Sequence, residues 1–171
     1  MLSKLFFVKL LLFHFPNVEL KLINGTEEVS VDKDLLEVDS DMACKMQPNG
    51  FDCSGKGKFK PIFYYDILLE DCKTKYIGQC PDQFNTYNNH RECNEACRDA
   101  SRKEIKGKIS AKIYCRLQPD FGRCNSYHPM WYFDMSSRTC KGFSYSGCGG
   151  NINRFPTHQD CVTACSSFLS Y

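Results

Sequence analysis

Twelve cysteines divide this chain into two sets of six whose spacings nearly coincide. Cys115, Cys124, Cys140, Cys148, Cys161 and Cys165 are separated by 8, 15, 7, 12 and 3 residues, and Cys44, Cys53, Cys72, Cys80, Cys93 and Cys97 by 8, 18, 7, 12 and 3. Four of the five intervals agree, so one module is present twice, with three extra residues in the second interval of the first copy. An even count with no leftover thiol implies an oxidising compartment in which disulfides persist. Each set spans little more than about fifty residues, a size at which a hydrophobic core alone gives marginal stability. Cross-links make up the difference; a bridge enclosing about 25 residues contributes about 3.5 kcal/mol by restricting the unfolded chain.

The N-terminus fits the same compartment. Lys4 opens a short basic region, and Leu5 to Phe15 is an apolar run broken by Lys9 and His14, the layout of a secretory signal peptide. The run is too short and too interrupted to span a bilayer, and no membrane span is expected. Residues 1–25 are read as this leader, with cleavage after Ile23-Asn24-Gly25 and before Thr26; sites after Phe15 or Asn17 stay open. Asn24-Gly25-Thr26 is the one glycosylation sequon, and cutting after Gly25 removes its asparagine.

The formal charge of +2 would leave with the leader, so net charge selects no partner, and no nucleic acid is expected. Its distribution is uneven. Glu27 to Asp41 holds seven acidic residues against Lys33, and Arg98 to Lys112 holds six basic residues against Asp99 and Glu104. Each segment is either a solvated stretch or a contact for a charged patch on a partner. The resulting layout is an acidic arm (26–43), a first module (44–97), a basic linker (98–114), a second module (115–165) and a C-terminal tail (166–171).

Within the second module, Met130 to Asp134 and Lys141 to Tyr145 are aromatic-rich runs around the polar stretch Met135 to Thr139, the pattern of a twisted hairpin. Thr157 followed by Asp160 forms a variant capping box, after which Cys161 and Cys165 stand at i, i+4 on one helical face. The first module repeats this with Phe63 to Asp66, with Asn89 and Glu92, and with Cys93 and Cys97. No Cys-x-x-Cys knuckle occurs and the histidines lack partner spacing, so no metal or cofactor is expected. Paired carboxylates, a nucleophile elbow and a phosphate loop are likewise missing, which argues against an enzyme.

Six-cysteine spacing allows fifteen pairings. The spacing with these motifs resembles the Kunitz protease-inhibitor family, and that resemblance implies a small disulfide-rich α+β fold. Each of two tandem modules would be a twisted β-hairpin plus C-terminal helix with three disulfides. It implies the bridges Cys44–Cys97, Cys53–Cys80, Cys72–Cys93, Cys115–Cys165, Cys124–Cys148 and Cys140–Cys161. It also makes Asn85, Tyr87, Asn153 and Phe155 structural residues beneath the hairpins. The reactive loop of an inhibitory module inserts into a serine protease like a substrate, and its disulfide keeps it from relaxing, so ordering costs little on binding.

In the second module that loop is Gly122, Arg123, Cys124, Asn125, Ser126, Tyr127 and His128, with Asn125–Ser126 as the reactive bond. Gly122 and Gly147 fit the family, whereas Ser146 stands where glycine is usual and is expected to narrow the groove behind the loop. Asn125 is short and neutral and leaves the pocket carboxylate of a trypsin-like enzyme unpaired. That costs on the order of 2–5 kcal/mol, or roughly 30-fold to several-thousand-fold in affinity. In the first module the three extra residues fall between Cys53 and Phe63. Cys53, Ser54, Gly55, Lys56, Lys58 and Lys60 form a basic, glycine-containing loop that is expected not to hold one substrate-like geometry. Lys75, where an aromatic residue is usual, extends the impression of a remodelled face.

The whole arrangement resembles the tandem Kunitz salivary anticoagulants of blood-feeding ticks, the ixolaris type. The resemblance implies a secreted, extracellular, monomeric binder of a serine protease or clotting factor of a host, bivalent and partly exosite-driven. A toxin-like blocker of an ion channel or receptor is the alternative, carried by Lys56 to Lys60; a matrix module without a protease target is a third.

Overall fold

The computed structural model describes residues 18–23, 26–31, 38–81, 83–105 and 108–169. The apolar run Leu5 to Phe15 and the residues Asn24 and Gly25 lie outside them. The chain forms two units, Met1–Glu37 and Val38–Tyr171. In the first, β1 (Val18–Ile23) pairs antiparallel with β2 (Thr26–Val31), Val18 opposite Val31 and Ile23 opposite Thr26. Val-Glu-Leu-Lys-Leu alternates with the period of a strand, a pattern that the division into leader and acidic arm passed over.

The second unit holds both modules. The first consists of α1 (Ser40–Lys45), a hairpin of β3 (Lys60–Asp66) and β4 (Asp71–Ile77), and α2 (His90–Cys97). The second consists of α3 (Ala111–Tyr114), a hairpin of β5 (His128–Asp134) and β6 (Thr139–Tyr145), and α4 (His158–Cys165). The helices begin where local chemistry starts them. Asn89 accepts from Glu92 N at 2.9 Å and Thr157 Oγ1 from Asp160 N at 3.1 Å, each satisfying an otherwise orphaned amide. Every described disulfide pairs first cysteine with sixth, second with fourth and third with fifth, the scheme implied by the family resemblance. The fold is the expected disulfide-rich α+β architecture.

Each core is built where helix cysteines meet hairpin aromatics: Tyr65 with Cys72 and Cys93 in one module, Phe133 with Cys140 and Cys161 in the other. Beneath each hairpin sits a buried asparagine. Asn85 Oδ1 accepts from Tyr65 N at 2.8 Å, and Asn153 Oδ1 from Phe133 N at 2.9 Å. Tyr87 and Phe155 bridge the outer edges of Phe63 and Trp131 through reciprocal backbone hydrogen bonds.

The basic linker is structured at both ends. Ala100 is buried in the first module's core and Ile113 in α3, so apolar residues pull the charged segment onto the modules. Its charge is partly answered by the acidic arm itself: Lys103 pairs with Asp41 at 2.8 Å, and Lys45 Nζ donates to Lys103 O. The segments with opposite charge, read as solvated or as contacts for a partner, meet each other at this point.

Candidate functional site

The loop of the second module is held by the strand behind it. Gly122 lies at φ +82°, where a Cβ would stand 2.2 Å from Cys148 O and 2.6 Å from Ser146 Oγ, so only glycine fits. The space is used by Ser146, whose Oγ accepts from Cys124 N at 3.0 Å. Ser146 O accepts from Ser126 N at 3.0 Å, and Ser146 N donates to Phe121 O at 2.7 Å. Arg123 N donates to Cys148 O at 3.0 Å. Ser146 stands close behind Gly122 and also supports the loop, because its hydroxyl accepts from a loop amide. With Cys124–Cys148, these bonds fix the backbone on both sides of Asn125.

Arg123, Asn125, Ser126, Tyr127 and His128 are all exposed, with Tyr127 at 76%. His128 rests against Tyr145, ring centroids 6.3 Å apart, at the start of β5. Chemically, the loop offers a short amide at its tip, with a guanidinium two residues before it and an aromatic ring two residues after. Among the described residues, no group of three or more His, Cys, Asp or Glu side chains is arranged to hold a metal, and no helix is long and apolar enough to cross a membrane.

The first module solves the same loop base differently. Phe51 takes the place of Gly122, and Gly78 that of Ser146; a Cβ on Gly78 would stand 2.2 Å from Phe51 O and 2.5 Å from Asp52 Cα. Bulk and small residue have exchanged sides of one contact. The exchange is legible in the sequence only when positions 122 and 146 are paired with 51 and 78.

The loop beyond Cys53 is folded around Asp52. Asp52 accepts from Ser54 Oγ at 2.6 Å, Ser54 N at 3.1 Å, Gly57 N at 2.7 Å and Gln79 N at 3.4 Å. The Ser54 hydroxyl, followed by the backbone amides, holds the Asp52 carboxyl down at about 2. Gly55 and Gly57, at φ +63° and +64°, supply the left-handed turns that close this shape. The result is a compact turn with Lys56, Lys58 and Lys60 exposed, rather than an extended substrate-like strand.

Lys75, read as part of a remodelled face, lies between the two modules. It is half-buried, and its Nζ donates to Pro48 O at 3.2 Å and to Ser136 Oγ of the other module at 2.9 Å. Burial lowers its pKa, opposed in part by the nearby Asp134. Asp52, Phe51, Gly78 and Lys75 thus shape the loops without having been singled out for those roles; the carboxylate two residues before a Ser-Gly turn was the legible sign for Asp52.

The profile of the Kunitz/Bovine pancreatic trypsin inhibitor domain matches residues 114–166. Doenitin-1 of Haemaphysalis doenitzi is 31% identical over 107 residues, covering 63% of this chain and 76% of that protein. Amblin of Amblyomma hebraeum is 36% identical over 103 residues, covering 60% of this chain and 57% of that protein. Among solved structures, that of Ixolaris, determined with its Factor X interaction, is 26% identical, covers 76% of this chain and 99% of that one, and has a TM-score of 0.30.

Proposed function

Since this chain belongs to the Kunitz/bovine pancreatic trypsin inhibitor family of serine protease inhibitors, we propose that it is a secreted, non-enzymatic protease binder that restrains a clotting protease of a host. The second module engages the protease through Cys124 to His128, with Asn125 entering a specificity pocket that takes a small polar residue. The observation that carries this reading is the loop backbone braced on both sides of Asn125 by Ser146 and Cys148. A braced loop has little ordering entropy left to lose on binding. The first module contributes a second surface rather than a second substrate-like loop, because its turn around Asp52 directs Lys56, Lys58 and Lys60 outward. These lysines suit an acidic exosite, and two surfaces on one chain make the binder bivalent.

Inhibition tests against a panel of clotting proteases and their zymogen complexes decide the matter. Nanomolar inhibition lost in an Asn125→Asp variant supports the reading; silence across the panel overturns it. Exposed lysines at positions 56, 58 and 60 favour a second reading, a channel or receptor blocker, which predicts block of ionic current by a chain silent on proteases.

A further inference from the structure

The two modules meet along a seam in which the same position of each reaches into the other. Gln47 and Gln118 both stand three residues after the first cysteine of their module. Gln47 Nε2 donates to Leu117 O at 2.9 Å and to Phe133 O at 2.8 Å, while its Oε1 accepts from Met135 N at 3.1 Å. Gln118 returns the pattern: Nε2 donates to Met46 O at 3.3 Å and Tyr65 O at 2.9 Å, and Oε1 accepts from Ile67 N at 3.4 Å. Between the glutamines, Met46 and Leu117 form an antiparallel bridge, flanked by Gln47 N to Arg116 O at 2.7 Å and Gln118 N to Lys45 O at 2.9 Å. When residue i meets j and j meets i, the contact has the form of an isologous twofold interface, here between two unequal copies in one chain.

The carbonyls reached are those that the core asparagines already hold. Asn153 Nδ2 donates to Leu117 O at 2.8 Å and Phe133 O at 3.2 Å, and Asn85 Nδ2 to Met46 O at 2.9 Å and Tyr65 O at 2.8 Å. Each glutamine therefore completes the polar core of the opposite module. Met46 and Leu117 are fully buried and Gln118 is 7% exposed, so parting the modules would uncover apolar side chains and break a saturated polar network.

The seam also sets the direction of the loops. Past Met135, the turn between β5 and β6 lies against the base of the first module's loop. Ser136 Oγ accepts from Gly50 N at 3.0 Å, and the Arg138 guanidinium sits 3.6 Å over the Phe51 ring while donating to Cys53 Sγ at 3.2 Å. The strand β5, seven residues from His128 to Asp134, runs from the second module's own loop to this turn. At ~3.3 Å per residue that is about 20 Å.

We propose that the seam is a standing interface that makes the two modules one rigid body independent of the linker, with the Cys53 and Cys124 loops at opposite ends. The partner that each module's first-cysteine edge fits is the other module of the same chain. This assignment goes beyond the protease reading and does not depend on it. It is tested by placing a specific protease site beside exposed Lys108, cutting the otherwise intact chain with its disulfides oxidised, and following the halves by size exclusion and native mass spectrometry at micromolar concentration. The halves are expected to travel as one species, with the Met135 and Ile67 amides as protected from exchange as in the uncut chain; halves that separate overturn the proposal. In the uncut chain, Gln118→Met is expected to speed exchange at Ile67 by about ten- to a hundredfold. Unchanged exchange there overturns it. Should that variant not fold, the unsubstituted chain decides, since Met135 and Ile67 amides that exchange at exposed-loop rates sink the idea.

Discussion

Asn125 is a side chain of one amide on a backbone braced from behind by Ser146 and Cys148. On the proposed reading, in which Asn125 fills the specificity pocket, Asn125→Arg should create trypsin inhibition, with a gain of roughly 30-fold to several-thousand-fold over the parent. A competitive trypsin assay measures it, and an inert variant would mean that the bracing does not produce a substrate-like loop. Asp52 plays the corresponding part in the first module. Its folded pKa of about 2 lies below the ordinary carboxyl value of 3.8, so the contribution of its turn is present above about pH 4 and is lost as pH falls through about 2. The Gly57 amide shift should titrate with a midpoint near pH 2 in NMR spectra, and Asp52→Asn should abolish that titration. A Gly57 midpoint near 4 would show that the carboxylate is not holding the loop.

At the scale of elements, the hairpins are held from below by one asparagine each. Asn153 receives Phe133 N and donates to Cys115 O, Leu117 O and Phe133 O. Asn153→Ala leaves a buried amide unpaired and should cost about 2–4 kcal/mol, read as a lower denaturation midpoint. The turn that follows Cys53 in the first module is expected to tolerate more. Residues 54–60 are exposed, and the second module closes the same bridges with three fewer residues in this interval, so shortening the stretch between Cys53 and Phe63 by three residues should leave the fold and all six bridges intact. Disulfide mapping and amide spectra of the shortened chain check this; loss of the Cys53–Cys80 bridge would place the insertion within the core. Hairpins, caps and helix cysteines were legible because each depends on residues a few positions apart, with a period or a hydrogen bond to announce them. The turn around Asp52 was not, because glycine content indicates only permitted backbone freedom, while a carboxylate with four donors removes it.

For the molecule as a whole, the seam changes what two tandem modules mean. Tethered beads would unfold separately, whereas modules that complete one another's polar cores should melt together. Calorimetry on the chain is expected to show one cooperative transition for Val38–Tyr171, lowered as a unit by Asn153→Ala; two resolved transitions, with only one moved by the substitution, would separate the modules. The sequence by itself determined the duplicated module, its bridges through family resemblance, and the short neutral residue at the tip of the second loop. Cysteine spacing carries that much because a disulfide constrains chain length between fixed points. Tertiary structure alone decided that Ser146 braces the loop, that Lys75 reaches the other module, and that Gln47 and Gln118 clasp opposite modules. Those outcomes depend on which carbonyls and amides are left over when two finished cores come together, a quantity with no period along the chain.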